Sequence, residues 1–166
     1  PHVDDAGAPY PGTCRHLSLQ QIQVMLRSGR KACVRLRCPA HAISFADAVM
    51  GPQNFLLSQC GGDFALRRSD GVVAYQLAVA VDDALMGVTQ VVRGRDILPS
   101  TPRQIALLDL LGYGAPSYAH VPLLLDAEGE RLAKRHNSLS LRCLREQGVD
   151  PRRITGLLGH LAGLTF

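Results

Sequence analysis

Hydrophobic positions along this chain switch repeatedly between the two-residue period of a strand and the 3.6-residue period of a helix. Residues 1 to 16 are rich in Pro, Gly and Asp and read as a loop. Ser18 and Gln21 form a capping box, and Leu19, Ile22, Val24, Met25 and Leu26 then supply an apolar face, predicting a helix that ends by Gly29. Cys33-Val34-Arg35-Leu36-Arg37-Cys38 alternates apolar and basic residues like a half-buried strand. A weaker strand is predicted at Ile43-Ser44-Phe45, and Gly51 to Gly62 reads as irregular. Asp63 to Arg68 alternates again and stops at the turn signal Ser69-Asp70-Gly71. Tyr75 to Leu85 is apolar almost throughout, broken by Asp82 and Asp83, which suits strand and helix equally. Val88 to Val92 predicts a short buried strand ending at Arg93-Gly94.

Thr101-Pro102-Arg103-Gln104 combines an N-cap, a Pro at the first helical position and a capping-box Gln, so a helix is expected through Ile105, Leu108 and Leu111 to Gly112. Tyr118 to Leu125 is strand-like but interrupted by Pro122. Asp126 to Gly129 reads as a turn and Glu130 to Asn137 as a polar, basic loop. Two helices close the chain, around Leu139 to Gln147 and from Asp150-Pro151 through Leu161. Strands alternating with capped helices predict an α/β layer arrangement, with a mostly β segment inserted ahead of it.

Composition adds bounds to this picture. A chain of 166 residues that is 46% hydrophobic and 19% charged can bury a core and is not a disordered segment. The longest charge-free runs, Ala48 to Gly62 and Leu111 to Leu125, are short and contain Pro and Gly, which excludes a spanning helix there. The formal charge of +4 permits a polyanionic partner without requiring one. Five cysteines form no CxxC pair, and with no signal peptide ahead of them free thiols in a reducing cytoplasm are expected.

Four constellations could carry chemistry. In Tyr10-Pro-Gly-Thr-Cys14-Arg-His16, the Cys and His can face one zinc ion with the phenolate as a rarer ligand, although the segment offers two or three of four ligands and also reads as an ordinary loop. Tyr75 opens an uncharged stretch where a hydroxyl can fix a polar ligand, or it is a rim aromatic. Arg93 stands at the end of a buried strand before Gly94, where α/β folds bind ligands; its planar fork suits a carboxylate or phosphate, and an ion pair with Asp82, Asp83 or Asp96 is equally open. Arg131, Lys134, Arg135 and His136 follow Gly129 and can neutralise a phosphate leaving group, or form a solvated surface.

Their order and spacing carry more than any one of them. Asp63-Phe-Ala-Leu-Arg-Arg-Ser-Asp-Gly71, Ala74-Tyr-Gln-Leu-Ala-Val-Ala-Val-Asp-Asp83, Met86-Gly-Val-Thr-Gln-Val-Val-Arg-Gly94, Ser100-Thr-Pro-Arg-Gln104 and His120-Val-Pro-Leu123 together resemble the second half of the catalytic domain of class I glutamyl-tRNA synthetases. Gly129-Glu-Arg-Leu-Ala-Lys-Arg135 falls where that family carries its KMSKS-type loop. Tyr10-Pro-Gly-Thr-Cys14 and Gln147-Gly-Val-Asp-Pro-Arg-Arg153 are most similar to the glutamyl-Q tRNA(Asp) branch, whose zinc site pairs an earlier Cys-x-Cys with a Tyr and a Cys; in some full-length relatives the counterparts of Cys14 and His16 are the ligands.

The resemblance implies a partial Rossmann-type catalytic domain: residues 1–62 a connecting insertion with a remnant zinc-binding segment, 63–137 the second half of the nucleotide-binding domain, and 138–166 a helical tail. It implies that Tyr75 and Arg93 bind glutamate, that Lys134 with Arg131 stabilises the pyrophosphate, that His120, Val121 and Leu123 lie near ATP, and that Tyr10 and Cys14 (or His16) bind Zn²⁺. Its reaction is glutamate activation with ATP and Mg²⁺, then transfer to the queuosine base of tRNA(Asp). The alternatives are a fragment charging tRNA(Glu) and a non-catalytic glutamate- or tRNA-binding descendant. A cytoplasmic monomer without membrane contact is expected. Ala133 stands where the family has Ser, and Arg131 where it has Lys. No HIGH-type signature or Cys-x-Cys occurs, so the resemblance makes this the carboxyl-terminal part of such an enzyme, expected to be inactive in isolation.

Overall fold

The computed structural model describes residues 10–125, 129 and 140–161. They fall into two units: one holds the residues through Arg93 together with Ile97–His120, the other Gly94–Asp96 and the residues from Val121 onward.

The chain runs α1 (Leu19–Arg27), β1 (Val34–Leu36), β2 (Ala42–Asp47), β3 (Gly51–Leu56), β4 (Phe64–Arg67), α2 (Tyr75–Leu85) and β5 (Gln90–Gly94), all of it in the first unit except Gly94. A 3-10 turn at Arg95–Ser100 leads into α3 (Thr101–Leu110), and β6 (Ser117–Val121) follows. Strands β1 and β4 form an antiparallel ribbon, with Leu36 opposite Phe64 and an irregularity between Val34 and Arg35. The other four strands form one sheet in the order β3-β2-β6-β5. The β2–β3 hairpin is antiparallel from Ala42 opposite Leu56 to Asp47 opposite Gly51, whereas β2 runs parallel to β6 with Asp47 beside Tyr118.

The capping box predicted for α1 is present. Ser18 Oγ accepts from the Gln21 amide at 3.3 Å and the Gln21 side chain accepts from the Ser18 amide at 2.8 Å. Gly51 to Leu56, expected to be irregular, is instead strand β3. Its Gly-Pro-Gln-Asn start hides the strand signal, but β3 lies at a sheet edge, where the missing N–H of Pro52 costs no interior ladder bond. Its even partner β2 is longer than the weak strand expected at residues 43–45. The ambiguous run Tyr75–Leu85 is helical, and Gln76, Leu77, Ala80 and Ala84 fall on one helical face: Gln76 and Ala80 are buried, and Leu77 and Ala84 pack on the same core as Ala80.

That core has two clusters. Phe64, Ala80, Leu107 and Leu108 pack between β4, α2 and α3, while Ile43, Leu57 and Ala106 join β2 to α3, and Cys38 touches both. Helix α3 is therefore the central element, with Thr101–Gln104 and Ala106–Leu108 all buried. At that depth each side chain removes apolar area worth ~25 cal/mol per Å² from water. Residues 42–56, read from sequence within the insertion, thus share a sheet with β5 and β6.

In the second unit, α4 (Leu141–Glu146) is capped by Ser140, whose Oγ accepts from the Cys143 amide at 3.1 Å. Helix α5 (Pro151–Leu161) begins with Pro at its first position, and the Asp150 carboxylate accepts from the Arg152 amide at 2.9 Å. Among the described residues no helix is long and apolar enough to cross a membrane.

Candidate functional site: a buried Asp–His–Arg network

Three strands and one helix of the first unit deliver polar side chains to one place. Asp47 is the last residue of β2, Arg93 lies one residue from the end of β5, His120 one residue from the end of β6, and Thr101 begins α3. The strand residues sit at carboxyl ends, where open α/β sheets bind ligands.

Their geometry fixes every proton. Asp47 Oδ2 lies 2.5 Å from His120 Nδ1, and Asp47 Oδ1 accepts from the backbone N–H of His120 at 3.0 Å. On the other side of the ring, Arg93 Nε donates to His120 Nε2 at 2.9 Å. Arg93 Nη2 donates to Thr101 Oγ1 at 2.7 Å, and that hydroxyl lies 3.1 Å from the same Nε2. A guanidinium can only donate, so Nε2 must be bare and the imidazole carries its proton on Nδ1, pointed at the carboxylate. The His120 ring has no exposed surface and Asp47 is 4% exposed.

A carboxylate at this depth stays ionised for a stated reason. Burial pushes the Asp47 carboxyl up, but hydrogen bonds from the His120 ring and from the amides of Met50, His120 and Val49 hold it well below the usual carboxylate range. Two of those amides belong to the hairpin turn, which Gly51 closes at φ +74°, a conformation that L side chains rarely adopt. The Arg93 charge balances Asp47 across a neutral imidazole. Burial lowers the Arg93 pKa, opposed by Tyr118, Tyr75, Asp83 and Asp47.

Tyr118 backs the network. Its ring stacks on His120 at 6.1 Å between centroids, and the Arg93 guanidinium carbon lies 5.5 Å from its centre. Burial pushes its hydroxyl up to about 12, with Arg93 lowering and Asp83 raising it. Phe45 meets the other part of this ring edge-on at 5.8 Å and stacks on Phe55 at 6.2 Å, so an aromatic row crosses the sheet. Gln76 Nε2 donates to Ser100 Oγ at 2.9 Å, tying α2 to the start of α3.

Of the two residues expected to bind glutamate, Tyr75 is among the groups that oppose the lowering of the Arg93 pKa. The His120 ring, expected near ATP, is enclosed, with both nitrogens engaged by Asp47 and Arg93. Val121 and Leu123 belong to the second unit, Val121 exposed and Leu123 half-buried. Lys134 and Arg131 lie outside the described residues.

The remnant segment expected to supply zinc ligands is tied by contacts of its own. Tyr10 Oη accepts from the Cys14 amide at 2.6 Å, and Arg35 lies 4.3 Å over the Tyr10 ring. Among the described residues no three His, Cys, Asp or Glu side chains gather as a metal would need. Tyr10, Cys14 and His16 alone do not fit a closed four-ligand zinc site. This segment instead borders a cavity of about 460 Å³ with Arg15, Arg30, Lys31, Arg35 and Arg37 on its wall.

Two members of the network escaped the sequence reading. Asp47 ends an alternating strand just before a turn, and that position was its one visible signal. Thr101 was read as an N-cap. It is the first helical residue, and its hydroxyl turns inward to Arg93 while Ser100 occupies the cap position without a side-chain cap bond.

Comparison with known proteins identifies the family. Residues 4–165 match the model of the family described as tRNA synthetases class I (E and Q), catalytic domain. The chain is 60% identical over 164 residues to a glutamyl-Q tRNA(Asp) synthetase from Nitratidesulfovibrio vulgaris, covering 99% of this chain and 51% of that protein. It is 47% identical over 165 residues to a glutamyl-Q tRNA(Asp) synthetase from Symbiobacterium thermophilum, again covering 99% and 51%. A crystal structure of a glutamate tRNA ligase from Elizabethkingia meningosepticum, in complex with its amino acid, superposes with a TM-score of 0.65 at 26% identity, covering 85% of this chain and 28% of that one. The chain thus spans about half the length of the curated relatives it matches. With a Rossmann-type α/β architecture and these matches, the chain belongs to the catalytic-domain family of class I tRNA synthetases for glutamate and glutamine.

Proposed function

We propose that this chain forms the glutamate-holding part of a ligase that activates glutamate with ATP and Mg²⁺ and transfers it to the queuosine base of tRNA(Asp). The observation that carries the reading is Arg93: two acceptors fix its Nε and Nη2, while Nη1 has no partner among the described residues. A guanidinium held on one side presents the other to a carboxylate in bidentate geometry. The Tyr75 phenol within electrostatic reach supplies a second polar contact for the amino acid. Identity of 60% to a glutamyl-Q tRNA(Asp) synthetase supports the acceptor, and the chain's positive charge suits a polyanionic one.

In this reading Lys134 and Arg131 neutralise the pyrophosphate as the glutamyl-adenylate forms, and Val121 and Leu123 lie along the nucleotide. Catalysis then consists of positioning and charge stabilisation, as phosphate-centred reactions require. The setting is cytoplasmic. No step is routed through zinc.

Two measurements on the full-length protein containing this chain test the proposal. Glutamate raises the melting temperature of wild type by mass action, and Arg93→Ala abolishes that shift. An equal shift in both proteins removes Arg93 as the anchor. For the acceptor, labelled glutamate is offered to tRNA(Asp) with queuosine, tRNA(Asp) lacking it, and tRNA(Glu). Incorporation into the first alone is expected. Charging of tRNA(Glu) establishes instead the second reading, which the likeness to a glutamate tRNA ligase structure favours.

A further inference from the structure

We propose that Asp47 is a positioning residue for the amino-acid carboxylate: it locks the tautomer of His120, and the locked imidazole, with Thr101, aims Arg93. The inference rests on the proposed role of Arg93 as anchor and deepens it by naming what makes that arginine selective and rigid.

The chain of reasoning is one of donors and acceptors. Asp47 can only accept when ionised, so Nδ1 of His120 must donate to it. The remaining ring nitrogen, Nε2, is then an acceptor, which is the one state in which it can receive Arg93 Nε–H. Thr101 Oγ1 takes a second guanidinium N–H, so one edge of Arg93 is fixed at two N–H groups by side chains that are themselves buried, Thr101 and His120 each with 0% exposure. The consequence is directional. A lysine or a freely rotating arginine offers a carboxylate a charge, whereas this arginine offers it a fixed fork.

The anchoring of Asp47 itself supports the assignment. Its Oδ1 receives the amides of Val49 and Met50 from the hairpin turn and that of His120 from β6, so the carboxylate cannot rotate away from the imidazole without breaking three bonds. The three participants are far apart in the chain, Asp47 and His120 by 73 residues and Arg93 and His120 by 27, so local structure does not require the arrangement.

Asp47→Asn inverts this logic at nearly constant volume. The amide still accepts from the backbone through its oxygen, but its NH₂ now faces Nδ1. The imidazole proton moves to Nε2, where it opposes Arg93 Nε–H, and the guanidinium is expelled from its seat. Thr101→Val removes the second acceptor, while Thr101→Ser restores it.

The test uses the full-length protein, with glutamate-dependent ATP–pyrophosphate exchange as the assay and imidazole ¹⁵N NMR for the tautomer. The expected result is a KM for glutamate raised on the order of 10- to 100-fold in Asp47→Asn and about 10-fold in Thr101→Val, with the KM for ATP within about 2-fold of wild type. Thr101→Ser recovers the wild-type KM, and the His120 Nε2 signal changes from bare to protonated in Asp47→Asn. Should Asp47→Asn fail to fold, the Val and Ser pair at position 101 decides alone. Kinetic constants for glutamate unchanged in both Asp47→Asn and Thr101→Val overturn the proposal, as does a fall in kcat with both KM values unmoved. If Arg93→Ala also leaves the glutamate KM unchanged, the fault lies in the proposed function; if Arg93→Ala alone raises it, only the positioning role fails.

Discussion

Arginines occur in two settings in the first unit, and the contrast explains where function resides. Arg93 is half-buried, bonded at Nε and Nη2 to side chains that are wholly enclosed, and matched by a buried carboxylate across one imidazole. Around the cavity near α1, Arg35 donates to the Asp63 carbonyl at 3.2 Å, Arg37 to the Arg15 carbonyl at 2.5 Å, and Arg15 reaches the Asp63 carboxylate at 3.4 Å. There the partners are mostly backbone oxygens, and α1 buries no residue at all. Charges near water are screened and replaceable, whereas charges removed from water must be matched one for one. The interior network therefore holds a geometry, and the cavity wall holds a potential.

The largest effect expected from this contrast is at Asp47. Asp47→Ala leaves an uncompensated Arg93 charge and two turn amides without their acceptor, and is expected to destabilise the protein by about 3–5 kcal/mol in chemical denaturation. A loss below about 1 kcal/mol would place Asp47 on the footing of a surface carboxylate and erase the distinction. Next is acid sensitivity. The folded pKa of Asp47 is depressed below its unfolded value of 3.8, so its contribution is complete above that pH and is lost as pH falls toward the lower folded value. Wild-type stability should therefore drop below about pH 4 more steeply than that of Asp47→Asn, read from urea midpoints at matched ionic strength. Parallel curves would mean that the carboxylate is not held by its four N–H donors.

At the alkaline end the sign reverses. The Tyr118 hydroxyl is raised to about 12 from 10, so the folded protein retains a proton that the unfolded chain releases. Its contribution is complete below pH 10 and declines as pH rises toward 12, and Tyr118→Phe should flatten that decline. Ultraviolet titration of tyrosinate offers a direct check, because a phenol ionising near 10 at this position would show that the network is open to water.

Much of the architecture was legible because its causes are local. Ser18 and Gln21 announced α1, the alternation at 63–68 announced β4, and the place of Arg93 before Gly94 announced a strand end. The rest depended on partners remote in sequence. Gly51 to Leu56 became a strand because β2 pairs with it, against its own Gly-Pro-Gln-Asn composition. Thr101 carried the residue type, and the following proline, of an N-cap, and nothing nearby reveals that Arg93 claims its hydroxyl instead. Ser100, which could have capped, accepts from Gln76, 24 residues earlier. The resemblance puts His120 near ATP, but nothing in its own neighbourhood reveals that its ring meets Asp47 on the neighbouring parallel strand.

The smallest effects belong to the periphery, and they sharpen the contrast by their size. Ser18→Ala removes the side-chain acceptor of the capping box on an exposed helix, and a loss of about 1 kcal/mol is expected. Arg15→Gln breaks an ion pair whose arginine is 42% exposed, so less than about 1 kcal/mol should be lost, and added salt should shrink the difference further. Salt has no such access to Asp47 and His120, both fully enclosed at the side chain. Measuring the Arg15→Gln and Asp47→Asn penalties at low and at 1 M salt therefore separates the two regions in one experiment. The first penalty should fade and the second persist. If both fade together, the interior charges are reached by solvent, and Arg93 owes its orientation to something other than the carboxylate beneath it.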